Sequence, residues 1–283
     1  MDKISSPKPN DDIVERNEPS TIFIKSPHRL KELLQDLDKL PTKPPSIYID
    51  GTGLGQDELI DLQLWVPTTK NLYNISLRHL GATALSSVDG NLPSLRTILE
   101  SDVVPKVGFD IRGLSRLLYS QYNVSLGGMY DLQLMELASR DDGESKKFLA
   151  GFAKFINDDV PSTNTAKVRW LTPGDITNMH MLNSAGHVSR RTMRRVELIA
   201  TLWAIYRRKL DAPSQAFWLA SVRTECRERV SESKGTIFRP FQQHLGPAEW
   251  WNAKLRQAAI DEWLENGPDD VFLGDVELND DVK

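Results

Sequence analysis

Apolar positions along the chain follow two rhythms. Residues 21–24, 47–49, 59–66, 71–76 and 105–110 are short runs rich in β-branched, aromatic and Leu positions, the pattern of strands. Other stretches repeat at three and four. Leu30, Leu33, Leu34 and Leu37 follow Ser26-Pro27, which predicts a helix with Pro in its first turn and one apolar face. Leu114, Leu117 and Leu118 mark a helix over 113–122, and Val196, Ile199, Leu202, Trp203 and Tyr206 mark one over 189–210. Helices are also predicted over 92–100, 130–138, 144–156, 215–231 and 247–265. Pro41, Pro44 and Pro45 break the chain ahead of the strand that ends at Asp50. That strand runs into Gly51-Thr52-Gly53-Leu54-Gly55, so 47–66 reads as a β-hairpin. Residues 157–185 lack periodicity and read as a long loop, which in a compact domain points to function or mobility. The early order is hairpin, strand, helix, strand, helix: an α/β domain whose sheet is led by the Asp50 strand.

Composition narrows the class. The chain of 283 residues is 40% apolar and 26% charged, as in globular proteins, and holds no apolar run long enough for a membrane span. The first 20 residues are polar and read as disordered, with no apolar segment of a secretory signal. A single cysteine, Cys226, excludes an intrachain disulfide and a cysteine zinc cluster, and points to the cytosol or nucleus. Net charge is −4, yet 261–283 hold nine acids and one base, leaving the rest at +4. A mildly basic body with an acidic tail is compatible with a nucleic-acid partner.

Candidate chemistry is concentrated at a few positions. Asp50, at a strand end opening on a turn, is either a ligand or general base or simply the turn's cap. His28, His79, His180, His187 and His244 show no metal-binding spacing. The glycine-rich run 51–55 lacks the Lys-Ser/Thr of a phosphate loop and opens no helix. Trp250, Trp251 and Trp263 either pack the last helix onto the body or expose an aromatic anchor. Arg190, Arg191, Arg194 and Arg195 span about 140° of one helix at 100° per residue, extended by Arg207, Arg208 and Lys209. That arc is a solvated face or a phosphate-binding stripe.

Four segments carry a resemblance: IYIDGTGLG with ELIDLQLWV; the gap-free block from LRTILESDVVPKVGFDIRG to LQLMELASR; the weaker FLAGFAKFI; and RRVELIATLWAIYRRKL with FWLASVRTECRERVSES. Over about residues 47–233 the chain resembles the RNase D-like 3′–5′ exonuclease domain, the DEDD group, most closely its fungal members. The resemblance implies an RNase H-like fold with a helical C-terminal part. Together with the composition and periodicity, it divides the chain into a disordered 1–20, an exonuclease-like 21–233, and a C-terminal helix with acidic tail over 234–283.

It also implies four carboxylates holding two Mg²⁺ or Mn²⁺ ions about 3.5–4 Å apart, which clamp the attacking and leaving oxygens. Residue by residue, this chain departs from that set. Asp50 remains in the first motif, but Thr52 replaces its Glu. Leu114 stands on the helix that normally carries the second acid. Arg191 and Arg195 replace the Tyr and Asp of the third motif. Thr offers only a neutral hydroxyl, Leu no donor, and Arg a permanent cation. Asp102, Asp110 and Glu197 are acids that could substitute. The departures imply a catalytically degenerate protein without cofactor that binds RNA or DNA, or acts as an adaptor. The alternatives are an active metal-dependent exonuclease with relocated ligands, and a protein-interaction module using the aromatic C-terminal helix. In the degenerate case Asp50 is expected to pair with Arg195, or with Arg191 one turn earlier.

Overall fold

The computed structural model describes residues 19–38, 40–86, 90–141, 143–172, 190–235 and 244–266. Most of the 1–20 segment and the acidic tail beyond 266 therefore lie outside the described residues. Six strands form one mixed sheet: β1 Ser20–Ile24, β2 Ile47–Thr52, β3 Asp61–Val66, β4 Asn71–Ser76, β5 Lys106–Gly108 and β6 Met129–Asp131. Their spatial order is β1-β4-β3-β2-β5-β6. β2, β3 and β4 run antiparallel in a meander, while β1 joins β4, and β5 and β6 extend from β2, in parallel. The central strands β2 and β3 are buried along their length, so that the polar Asp50, Asp61 and Gln63 are enclosed with their apolar neighbours.

Helices frame the sheet. They are α1 Pro27–Asp38, α2 Leu77–Leu80, α3 Leu95–Glu100, α4 Ile111–Tyr122, α5 Leu132–Ala138, α6 Phe152–Asp158, α7 Thr165–Leu171, α8 Arg190–Leu210, α9 Ala216–Ser233, α10 Ala248–Trp251 and α11 Ala253–Asn266. α1 buries Leu30, Leu33, Leu34 and Leu37, the face its spacing predicts. α8 lies across β2, β3 and β5, with Val196, Ile199, Leu202 and Tyr206 fully buried, and α9 packs on α4, α5 and β6. No described helix is long and apolar enough to cross a membrane.

Four predicted elements differ from the observed ones. The 130–138 run begins as strand β6, because Tyr130 pairs with Val107 before Asp131 caps α5 by accepting from the Gln133 N–H at 3.0 Å. In 144–156 the helix starts only after Gly151, and Phe148 instead bridges Leu245. α7 stands inside the predicted loop, started by the Asn164 side chain accepting from the Lys167 N–H at 3.0 Å. The last predicted helix is two, α10 and α11, parted at Asn252, whose extended backbone ends the first. The turn after β2 also holds a short 3₁₀ segment, Leu54–Gln56.

Three lysines are buried at helix ends. Lys106 donates to the carbonyls of Ile98, Ser101 and Val104 where α3 finishes, at 2.7–2.9 Å. Lys146 does the same for Leu137, Ala138 and Arg140 after α5, and Lys167 for Asn157 and Val160 after α6. Each ammonium occupies the negative end of a helix dipole and satisfies carbonyls that the helix leaves open.

Candidate functional site

The carboxylate that ends β2 is held by its own sequence neighbours. Gly51 follows because a side chain would not fit: a Cβ there would stand 2.8 Å from Leu59 Cδ1 and 3.0 Å from Leu114 Cδ1. Leu114, where the resemblance expects an acid, is thus a buried contact between α4 and β2. The Gly51 N–H donates to Asp50 Oδ1 at 2.9 Å. Thr52 is turned to β3, where its hydroxyl donates to Asp61 Oδ2 at 3.3 Å and accepts from the Asp61 N–H at 3.1 Å. Asp61 is a buried carboxylate that the sequence reading passed over. Burial raises its pKa against hydrogen bonds from Ser76, Thr52 and Asn74.

Asp50 meets α8 through Arg195, whose Nε stands 2.8 Å from Asp50 Oδ2. The pairing expected from the sequence is present. It is a charge contact rather than an aligned hydrogen bond, since Nε finds no acceptor in hydrogen-bonding geometry. The Asp50 side chain is 6% exposed and that of Arg195 34%. Burial pushes the Asp50 carboxyl above its ordinary range, against the opposing pull of Arg195 and the Gly51 N–H. The Arg195 guanidinium also lies 4.8 Å from the Phe152 ring centroid and 5.5 Å from that of Phe109, and those two rings meet edge to face.

This guanidinium forms part of the wall of a cleft of about 680 Å³, lined by Leu54, Gly55, Asp57, Phe109, Asp110, Arg112, Gly113, Arg116, Phe152 and Arg195. Arg112 and Arg116 come from the first turns of α4. Arg112 Nε donates to Asp110 at 2.6 Å, and Arg116 pairs with Asp57, whose side chain is largely exposed. Asp110, in a left-handed backbone conformation at φ 48°, does not cap α4 itself. Asp131 does so from β6: its carboxylate accepts from the N–H groups of Asp110 and Ile111 at 2.9 and 3.0 Å, and from Arg229 at 2.5 Å. The buried Asp131–Arg229 pair therefore sets the start of α4, and so the place of Arg112 and Arg116. No periodicity in the sequence could reveal it, because the partners are far apart in the chain.

The other predicted site residues are dispersed. Arg194 donates to the Arg169 carbonyl at 2.6 Å, so it is engaged with α7 while Arg195 reaches Asp50. The side chains of Arg190 and Arg191 lie outside the described residues. Glu197 pairs with Arg169, and Asp102 accepts from the Gly128 N–H at 3.0 Å. Trp250 is buried against Trp218, and Trp263 meets Phe217 edge to face, so these two pack the C-terminal helices onto α9.

By sequence, no protein-family model and no curated protein matches the chain. By structure it is similar to RNase D of Trypanosoma brucei, with a TM-score of 0.59 at 16% identity over 84% of this chain and 82% of that one. It is likewise similar to Trypanosoma brucei RNase D in complex with GMP, at a TM-score of 0.60 and 16% identity over 84% and 72% of the two chains. For the complex with RNA U12 the values are 0.56 and 17%, over 83% and 78%. The chain has an RNase D-like exonuclease fold.

Among the described residues, those that this fold brings together here do not fit two divalent ions. A two-metal centre needs several hard, charged oxygen donors. Asp50 already faces a cation, Thr52 offers a neutral hydroxyl committed to Asp61, and Leu114 has no donor. Among the described residues, no three His, Cys, Asp or Glu side chains form a group that could hold a metal ion.

Proposed function

We propose that the protein is a non-catalytic member of the RNase D-like exonuclease group that binds single-stranded nucleic acid in the Arg112–Arg116–Arg195 cleft, without a metal cofactor. The observation that carries this reading is the Asp50–Arg195 pair: a guanidinium stands against the acid that the resemblance makes a metal ligand. Trypanosoma brucei RNase D in complex with RNA U12 supports a nucleic-acid ligand for the fold. Arg116 is poised for a phosphate because its partner Asp57 is largely exposed and such a pair is weak in water, so a phosphate can displace it, and Arg112 lines the same cleft one turn earlier. The single buried cysteine suits a reducing compartment, cytosol or nucleus. An adaptor role is the second reading, favoured by Leu255 and Leu264, which α11 leaves exposed.

The test is a pair of assays on labelled single-stranded RNA and DNA. Binding measured by anisotropy in EDTA should be present at low salt and fall as salt rises, by ~0.7 log units per phosphate contact per tenfold salt. Arg112→Ala with Arg116→Ala should weaken it and flatten the slope. Incubation with Mg²⁺ or Mn²⁺ should leave the strands at full length. Metal-dependent shortening that disappears in Asp50→Ala would reject the non-catalytic reading. Absence of binding at low salt would reject the nucleic-acid reading and leave the adaptor.

A further inference from the structure

A second feature lies four residues along the chain from Phe152, which lines the cleft. Phe148, 52% exposed, and the exposed His244 stack with planes 10° apart and centroids 6.2 Å apart. The Lys147 ammonium stands 5.5 Å from the Phe148 ring centroid and 4.9 Å from that of Trp251, which is 36% exposed. One cation thus stands between two partly exposed rings, Phe148 and Trp251, and His244 stacks on the first of them.

The backbone beneath these rings is held firmly. Arg140, paired to Glu136 at 2.8 Å, donates to the Phe148 carbonyl at 3.0 Å and to that of Ser145 at 2.6 Å. The Leu149 N–H donates to His244 O at 2.9 Å, Gly246 N–H to Lys147 O at 2.8 Å, and Trp251 Nε1 to Gly246 O at 3.2 Å. Lys146, next in the chain, is buried at the end of α5 with its ammonium 4.5 Å from the Trp218 ring centroid. Ordering a large ring costs conformational entropy, and at Phe148 little burial offsets it. Rigid exposed aromatics of this kind lower the cost of binding a flat partner.

Continuity with the cleft points to the class of that partner. Phe152, four residues beyond Phe148, lines the cleft, and four residues span at most about 14 Å. Flat rings interleaved with a cation, within a few residues of an arginine-lined groove, are what successive unpaired bases need for stacking. We propose that Phe148, His244, Trp251 and Lys147 form a stacking platform for the bases of a single strand whose phosphates lie in the cleft. This rests on the nucleic-acid reading above.

The experiment compares a single-stranded oligonucleotide with an abasic sugar–phosphate chain of the same length, at low salt in EDTA. The wild-type protein should bind the base-bearing strand about tenfold more tightly or better. Phe148→Ala and Trp251→Ala should each lose about tenfold on that strand, leave the abasic chain unaffected, and keep the salt slope; Phe148→Trp should retain the preference. Thermal melts of each variant verify folding. Equal wild-type affinity for the two chains would overturn the platform while leaving the cleft reading intact. The same holds if both alanine variants keep the preference. Binding of neither chain would overturn the platform and the cleft reading together.

Discussion

Replacing Arg195 by Ala tests the geometry on which the functional reading depends. Among the described residues, the substitution leaves the buried Asp50 carboxylate with the Gly51 N–H as its hydrogen-bond donor. Breaking a fully buried pair costs about 3–5 kcal/mol, and breaking an exposed one ~1 kcal/mol or less. This pair lies between, with its acid enclosed and its base one-third exposed. The Phe109 and Phe152 rings also lose their cation, at ~0.5–1 kcal/mol each. A loss of about 2–4 kcal/mol at pH 7 follows, or a Tm lower by roughly 5–10 °C. Its pH dependence has a definite sign. The folded pKa of Asp50 is raised from an ordinary 3.8, so the charged acid costs stability above that value and nothing below it, where both folded and unfolded chains hold the proton. Without Arg195 the pKa rises further. The gap between variant and wild type in urea melts should therefore widen from pH 3.5 to pH 7, and Asp50→Asn should recover most of it in the Arg195→Ala background. A gap that is constant with pH and unrescued by Asp50→Asn would show that the pair is not what holds Asp50.

Other expectations follow from the same physics. Burial, then Glu228, Glu249 and Glu232, push Glu225 up to about 8; the folded chain keeps a proton that the unfolded chain releases, so stability falls as pH rises from 4.5 to 8. Glu225→Gln should raise Tm at pH 8 and change little at pH 4. Cys226 is fully buried and burial raises its pKa, so an aromatic disulfide reagent should react with it only at the rate of unfolding; prompt reaction of the native protein would contradict its placement. Arg229→Met should lower Tm by stranding buried Asp131 and should also weaken nucleic-acid binding, because α4 loses its capped start. Normal binding by a folded Arg229→Met protein would separate α4 placement from the cleft.

Much of this could be seen in the chain because it is local. β2 and β3 are legible as strands either side of a glycine turn, and α1, α4 and α8 as faces at helical spacing. The strand–helix junction at Asp131 is not, because Tyr130 becomes a strand residue only by pairing with Val107. At the site, the Asp50–Arg195 contact was reachable by aligning motifs, since an acid and a base stood at positions that normally share a metal. Arg112 and Arg116 read instead as polar positions on an amphipathic helix. Their place in the cleft depends on Asp131 capping α4 from another strand. Asp61 was hidden for a similar reason: its register with Thr52 is a property of the sheet.

The buried lysines bear on how the chain's amines react. Acylating reagents, and enzymes that acetylate, need a free amine in contact with solvent. Lys106 is fully enclosed, with its pKa lowered to about 7 by burial, and three carbonyls surround the nitrogen. Lys146 and Lys167 are enclosed in the same manner. These positions are silent in the native protein however basic or neutral the nitrogen is. Each acquires a label only when the end of its own helix opens, so the labelling rates of Lys106, Lys146 and Lys167 become three separate clocks for the fraying of α3, α5 and α6.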